Sequence, residues 1–277
     1  MVTRARRSHP GDWPAIERLH HRARFKIPWL WWWEEHLSDA SFVVTEGADD
    51  ITGALLAWPD ESPVAWVRLA ALDYTLSVDT WLELSLPLVL DGLRRQNARY
   101  LAWMDYGGWA EPHLKMHGFE PLEQVMTLIK ADQVLPPRAA DAVHIRPASD
   151  ADIPLVIAID RAAFTPHWWH SASTLRRQGM AASHFAIAQV QDAVVGYIEA
   201  KVQPPMAHVN RIAVHPAHQG SGVGAALLRD ALRAFWQRGV RHVSLNTQTA
   251  NLPSRQLYQR FGFEPTGEVV QAWLQEV

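Results

Sequence analysis

No cysteine occurs among the 277 residues, which excludes disulfides, thiolate metal sites and any acyl-cysteine intermediate. Long apolar runs are missing as well. None approaches the ~20 residues of a bilayer span, and no secretory leader opens the sequence, so no membrane partner and a cytoplasmic location are expected. Net charge is only −3 and no long basic run is present, which argues against nucleic acid as a partner. The cluster Arg4, Arg6 and Arg7 reads as the exposed side of a first strand. His167/His170 and His215/His218 have the spacing of metal ligands. Without cysteine or clustered carboxylates they read instead as solvated or pocket histidines, and no metal is expected.

With 48% apolar and 20% charged residues, the composition is that of a chain with real cores, and 277 residues suit two domains better than one. The most informative stretch runs from Arg211 to Leu232. Ile212, Ala213 and Val214 read as the end of a buried strand that Pro216 stops. Val223, Leu227, Leu228, Ala231, Leu232 and Phe235 recur as one apolar helix face. Between them lie Gly220, Gly222 and Gly224. A strand that feeds a helix through glycines leaves backbone N–H groups unpaired at the positive end of the helix dipole, and those donors suit a phosphate. Glycine lets the anion approach the backbone.

Three patterns compete for this turn. Gly220 to Ala225 satisfies the dinucleotide fingerprint G-x-G-x-x-G/A, but no carboxylate stands on the following strand, Val243 to Gln248, to hold a ribose. A P-loop needs G-K-[ST], and no lysine is present. The pattern Q/R-x-x-G-x-G/A fits, as Gln219, Gly222 and Gly224. Downstream, Asn251 to Pro265 offers an Asn, a small residue three later (Ser254), the pair Leu257–Tyr258 and a Gly262–Phe263 turn. Asn251 and Ser254 sit at a helix start, Leu257, Tyr258 and Phe261 share a face, and Gly262 follows the helix end.

In order and spacing these two motifs resemble the GCN5-related N-acetyltransferase (GNAT) family. The resemblance implies a mixed α/β sheet whose two central strands splay apart to admit acetyl-CoA. Strands are expected near Val143–Pro147, His184–Val190, Val194–Val202, Ala207–Val214, His242–Gln248 and Phe263–Leu274, with Asp192 and Gly196 marking a hairpin.

The sequence also echoes itself. Asp12 and Pro14 recur as Asp152 and Pro154, 140 residues on; Arg68 answers Arg211 at 143; Gly118-Phe-Glu-Pro121 returns as Gly262-Phe-Glu-Pro265 at 144. Two tandem copies of one fold are therefore expected, residues 1–135 and 136–277, joined by the proline-bearing stretch Asp132 to Asp141. At these shifts Gln219, Gly222 and Gly224 fall on Leu76, Asp79 and Trp81, and Tyr258 falls on Leu114. The first copy is thus expected to have lost the cofactor motif and to buttress the second or wall its pocket.

By resemblance, the pyrophosphate of acetyl-CoA would meet backbone N–H groups from Gln219 through Gly220, Ser221, Gly222, Val223 and Gly224 to Ala225. The pantetheine arm would lie along Ile212, Ala213 and Val214 as an added strand. Asn251 would touch the arm. Ser254 and Arg255 are candidates for phosphate or adenosine, against the plain reading of helix-surface residues. A backbone N–H near Val214 would serve the oxyanion, and Tyr258 would protonate the departing thiolate. The family often carries a Glu where this sequence has Asn210, so the base is sought on neighbouring positions. Glu199 is favoured over His208, with a salt-bridged surface Glu as the competing reading. Trp168 and Trp169, in a cluster echoed by Phe25 to Trp33, would wall an aromatic or cationic acceptor site or pack the two halves. The activity implied is transfer of acetyl from acetyl-CoA to a primary amine of a small molecule or a peptide. The alternatives are a non-catalytic acetyl-CoA-binding regulator and a nicotinamide oxidoreductase. The sequence fixes neither the acceptor nor the oligomeric state.

Overall fold

The computed structural model describes residues 4–27, 33–48, 50–61, 63–137 and 143–277. They form two units, Met1–Glu123 with Val270–Val277, and Gln124–Val269. This division differs from a cut at residue 135, because the last strand of each repeat is counted in the other unit's sheet.

The first unit contains β1 (Arg4–Arg7), α1 (Trp13–Arg22), β2 (Phe25–Lys26), β3 (Phe42–Glu46), β4 (Ile51–Glu61), β5 (Val64–Leu72), α2 (Val78–Arg95), β6 (Tyr100–Asp105) and α3 (Glu111–Met116). The next strand, β7 (Glu120–Lys130), crosses the division at Gln124. The second unit continues with β8 (His144–Pro147), α4 (Ile153–Ala163), α5 (Ala172–Ala181), β9 (His184–Val190), β10 (Ala193–Gln203), β11 (Met206–Val214), α6 (Val223–Gln237), β12 (His242–Gln248) and α7 (Leu252–Arg260). The final strand, β13 (Glu264–Glu276), returns to the first unit from Val270 on. Within each unit the sheet order is the same. In the first it is β1-β3-β4-β5-β6-β13, and in the second β8-β9-β10-β11-β12-β7. Among the described residues, β5–β6 and β11–β12 pair in parallel.

The repeated residues do repeated work. Arg6 grips Asp12 bidentately at 2.7 and 2.8 Å, and Arg146 grips Asp152 at 2.8 and 2.7 Å. Each carboxylate also accepts from the backbone N–H three residues back, His9 and Ser149, closing the turn that starts the first helix. Of the first basic cluster, Arg4 is exposed, whereas Arg6 and Arg7 are partly buried and paired with Asp12, Glu46 and Asp91. Gly118 and Gly262 both end a helix at φ +83° and +77°, and Phe119 and Phe263 then donate N–H to the carbonyls of Leu114 and Tyr258.

The hairpin between β9 and β10 turns at Gln191 and Asp192, both at positive φ. Gly196 is not part of that turn. It sits in β10 where a Cβ would come within 2.9 Å of the Ala213 carbonyl and 3.2 Å of Val223 and Leu227, so its absence lets α6 lie down on the sheet. The predicted apolar face of α6 is buried in full and packs on β10 and β11. In sequence α5 went unread; its mean character is polar and no apolar stripe marks it.

Both parallel pairs open partway. β11 and β12 pair from Met206–His242 to Val209–Leu245, and β5 and β6 from Val64–Tyr100 to Trp66–Ala102. Beyond these points the strands run on unpaired with each other. Next to the opening, β11 carries an extra residue, Asn210, between Val209 (opposite Ala200) and Arg211 (opposite Glu199). On β5 the extra residue is Arg68, between Val67 and Leu69. The structural counterpart of Arg68 is therefore Asn210 at a shift of 142, not Arg211 at 143.

Candidate functional site

In the second unit the opening is bounded by β11, β12, the glycine turn and α7. Beyond Val209, no other strand among the described residues pairs with the edge of β11 that faces β12. His215 donates its N–H to Val195 on β10, so strand alternation turns the N–H of Val214 to this open edge.

The turn after β11 is built around its glycines. Gly220 has φ +75° and Gly222 φ +90°, the left-handed region that glycine adopts without strain. Gly222 caps α6, and no side chain hydrogen-bonds the first amides of the helix. Gln219 and Ser221 hold the turn together: Gln219 Nε2 donates to the Val214 carbonyl at 3.1 Å and Ser221 Oγ to the His218 carbonyl at 2.6 Å. Gly224 serves close approach, since a Cβ there would stand 3.3 Å from Leu257 and 3.7 Å from Val214. Val223 is buried and Ala225 partly so. The Gln219 N–H is taken by the Pro216 carbonyl at 3.2 Å, so Ile212, Ala213, Val214 and the turn from Gly220 to Ala225 form the run of open edge and bare amides. This is a donor set that suits an anion joined to an extended chain.

On α7, Asn251 Oδ1 accepts from the Ser254 N–H at 3.2 Å and caps the helix. Its oxygen is therefore engaged in holding α7. Arg255 ties back to the Thr249 carbonyl at 2.8 Å. Tyr258 is 4% exposed and packs against Phe263. Burial pushes its phenol up to about 12, with the Ser254 hydroxyl pulling slightly the other way, so it stays protonated and able to donate.

The opposite sheet face holds Glu199, 5% exposed. Tyr197 and Glu199 share this face, as alternation requires, while Ile198 and Ala200 face α6. The bulge turns Asn210 toward Glu199, and Asn210 Nδ2 donates to Glu199 Oε1 at 2.5 Å. Burial raises the Glu199 carboxyl above the ordinary range; the Asn210 hydrogen bond and the Arg211 charge offset part of this. A buried carboxyl lifted toward neutrality, hydrogen-bonded but not ion-paired, is suited to exchanging a proton. The competing candidate, His208, bonds Ser244 Oγ at 2.8 Å, and burial pushes its imidazole down.

One network escaped the sequence reading. Arg211 lies beside Asn210, its side chain 9% exposed, and bonds the fully buried Asp160 through Nε at 2.6 Å and Nη2 at 3.0 Å. The Tyr197 hydroxyl donates to the same carboxylate. Arg211 also donates to the Trp168 carbonyl at 2.5 Å and lies 3.9 Å over the Phe164 ring, and the His170 N–H reaches Asp160 at 3.4 Å. The segment 164–170 is thereby fastened to β11. Trp169 is held within it by its Nε1–H to the Phe164 carbonyl at 2.8 Å, and both Trp168 and Trp169 are half-buried. The available signal was Asp160 itself, an acid on the apolar stripe Val156–Ile159 of α4. Of the echoed N-terminal tryptophan cluster, residues 28–32 lie outside the described residues, as do residues 138–141 of the expected linker.

Among the described residues, the first unit has no counterpart of the glycine turn, of Glu199 or of Tyr258. Its turn, residues 73–77, is three residues shorter than residues 215–222 and contains no glycine. Leu76, Asp79 and Trp81 are therefore not the positional equivalents of the glycine motif, because Val78 already starts α2. Ser77 Oγ caps the Thr80 N–H at 3.1 Å. Leu56 stands opposite the bulge where Glu199 does, Leu114 takes the place of Tyr258, and both are fully buried. The free edge of β5 is filled by the chain itself. β2 pairs with Ala71 and Leu72, with Arg24 N–H to the Leu72 carbonyl at 2.9 Å and Ile27 N–H to the Ala70 carbonyl at 3.0 Å.

Residues 154–263 match the model of the Acetyltransferase (GNAT) family. A mycothiol acetyltransferase of Saccharomonospora viridis is 31% identical over 171 residues, 53% of this chain and 54% of that protein. A protein of Bacillus subtilis (strain 168), named as a candidate alanine N-acetyltransferase for ribosomal protein bS18, is 26% identical over 116 residues, 42% of this chain and 77% of its own. The chain therefore spans about half the length of the mycothiol enzyme it matches. Among solved structures, a tandem GNAT protein from the clavulanic acid biosynthesis pathway aligns with TM-score 0.69 at 16% identity, covering 99% of this chain and 98% of that one. A GCN5-related N-acetyltransferase from Sphaerobacter thermophilus aligns with TM-score 0.67 at 18% identity, over 99% and 95%. At these identities the structural likeness is one of fold.

Proposed function

We propose that this chain, whose residues 154–263 match the GNAT acetyltransferase model and which folds as two such units in tandem, is a member of that family and moves an acetyl group from acetyl-CoA to a primary amine in its second unit alone. The acceptor class is a small-molecule or peptide amine. The observation that carries the reading is the unpaired edge of β11 from Ile212 to Val214, running directly into the uncapped start of α6 at Gly222.

The residues fit the co-substrate. Amides from Gly220 to Ala225 would hold the pyrophosphate, Ile212 to Val214 the pantetheine, and Asn251 and Ser254 stand beside the arm on α7. When bound, acetyl-CoA supplies an activated thioester. Glu199 then accepts the proton that the amine sheds as its nitrogen bonds the acetyl carbon. The Val214 N–H donates to the carbonyl oxygen as negative charge builds there. The Tyr258 hydroxyl gives its proton to the departing sulfur. Asn210 holds Glu199 from the adjacent strand, which puts the base one strand away from where the family often carries it. Trp168 and Trp169, fastened through Arg211, form the acceptor wall.

Calorimetric titration with acetyl-CoA tests this directly. One site per chain that is lost in Gly222→Val supports it, and thiol release with an amine panel then reads out turnover, free of protein-thiol background. Binding with no thiol release for any amine would favour a regulatory acetyl-CoA binder. No binding would remove the reading.

A further inference from the structure

In the first unit, Arg68 occupies the bulge of β5 with its Nε sealed from solvent and without a hydrogen-bond partner. Among the described residues no carboxylate lies within ion-pair distance of it, whereas Arg6, Arg146 and Arg211 each grip an aspartate. Burial lowers its hold on the proton below that of an ordinary guanidinium, and Asp60 and Tyr106 restore only part of it. Leaving a buried guanidinium N–H without an acceptor is costly, and an anion beside it would supply one.

The surroundings describe that anion. The Arg68 guanidinium lies 5.5 Å over the Trp58 ring, and His36 stacks on Trp58 at 3.8 Å and 14°. Trp66 lies opposite Trp58 on β5, and Tyr106 follows β6 with 37% of its surface exposed. Trp58, Asp60 and His36 are half-buried, so this aromatic group borders solvent. We infer that Arg68 and Trp58 form a second small-molecule site, in the first unit, for a carboxylate carried on a flat apolar body. A guanidinium matches a carboxylate with two parallel N–H donors, and the indole ring covers the flat body beside it. Asp60 contributes a negative charge nearby, which favours a monoanion over a phosphate dianion.

The site does not depend on acetyl transfer in the other unit and is testable without it. Benzoate, its neutral isostere benzamide, and inorganic phosphate are titrated into the full chain by calorimetry, with tryptophan fluorescence as a second signal. Benzoate is expected to bind at least tenfold more tightly than benzamide or phosphate and to quench tryptophan emission. Arg68→Met abolishes this while acetyl-CoA binding is unchanged, and Arg68→Lys weakens it. Without ligand, Arg68→Met is expected to melt at or above the temperature of the parent chain, because it removes a buried donor that has no acceptor. Equal affinity for benzoate and benzamide, benzoate binding that survives Arg68→Met, no benzoate binding at all, or a lowered melting temperature would each overturn the proposal. Trp58→Leu, which keeps Arg68, is expected to weaken benzoate binding and supplies the test should Arg68→Met not fold.

Discussion

The side-chain amide of Asn210 donates to Glu199 Oε1 at 2.5 Å, across two neighbouring strands and at the one place where β11 carries an extra residue. Glu199 therefore sits between two opposing influences. Burial holds its proton on, and the Asn210 donor and the Arg211 charge favour letting it go. If it is the base, Glu199→Gln lowers turnover by about 10²–10⁴-fold and leaves acetyl-CoA affinity unchanged in a calorimetric titration.

The pH dependence follows from the same balance. The base works deprotonated, so kcat/KM falls on the acid side as pH drops through its raised pKa. Asn210 stabilises the charged form, and deleting it in Asn210→Ala raises the pKa further. The acid limb is then expected to move to higher pH, and to move farther in Asn210→Asp, which sets a second carboxylate beside the first. A limb that stays in place in both variants, with Glu199→Gln inactive, would leave Glu199 as base and remove Asn210 from its control.

Tyr258 offers a contrasting test. With its phenol pushed up to about 12 it remains protonated throughout the working range, so no alkaline limb below about pH 10 is expected to arise from it. Tyr258→Phe is expected to lower turnover by about 10²-fold or more with acetyl-CoA affinity kept, measured by thiol release under saturating amine. Unchanged turnover would return Tyr258 to the role of a core residue.

At Gly222, φ is +90° and the first amides of α6 have no side-chain cap. Gly222→Val strains the turn and draws those amides away from a bound phosphate. Loss of even one charge-assisted hydrogen bond, about 1.5–3 kcal/mol, weakens acetyl-CoA binding by about tenfold or more. The parent chain is expected to titrate with one equivalent, because β2 and the capped turn at Ser77 leave the first unit neither an edge nor bare amides. Two equivalents would refute that account of the first unit.

Asp160 is fully buried and shared by Arg211 and Tyr197. Asp160→Ala leaves the guanidinium without its partner and is expected to destabilise the fold by about 3–5 kcal/mol in denaturant unfolding. Arg211→Met is expected to loosen the segment 164–170 and to raise the KM for the amine more than that for acetyl-CoA.

What could be read beforehand was whatever a local pattern dictates. Gly220, Gly222 and Gly224 demanded a turn, the apolar spacing from Val223 to Phe235 demanded a helix face, and Gly118 and Gly262 announced two helix ends of the same kind. What escaped depended on strands meeting. A one-residue bulge shifts every later partner by one, so Arg68 was aligned with Arg211 although it lies where Asn210 does. The shortening of residues 73–77 was invisible for a related reason: a fixed offset cannot show a deletion between two echoes. Gly196 was assigned to a turn because its true reason, a helix lying on its bare Cα, is a contact between elements distant in sequence. Asp160 and Arg211, 51 residues apart, meet only once α4 has packed on the sheet.

The exchange of final strands ties the folds of the two halves together. Gln124–Lys130, encoded with the first copy, completes the sheet that holds Glu199, and Gln271–Glu276, encoded with the second, completes the sheet that does not. Removing the first copy would therefore strip the sheet that holds Glu199 of the strand that pairs with β12.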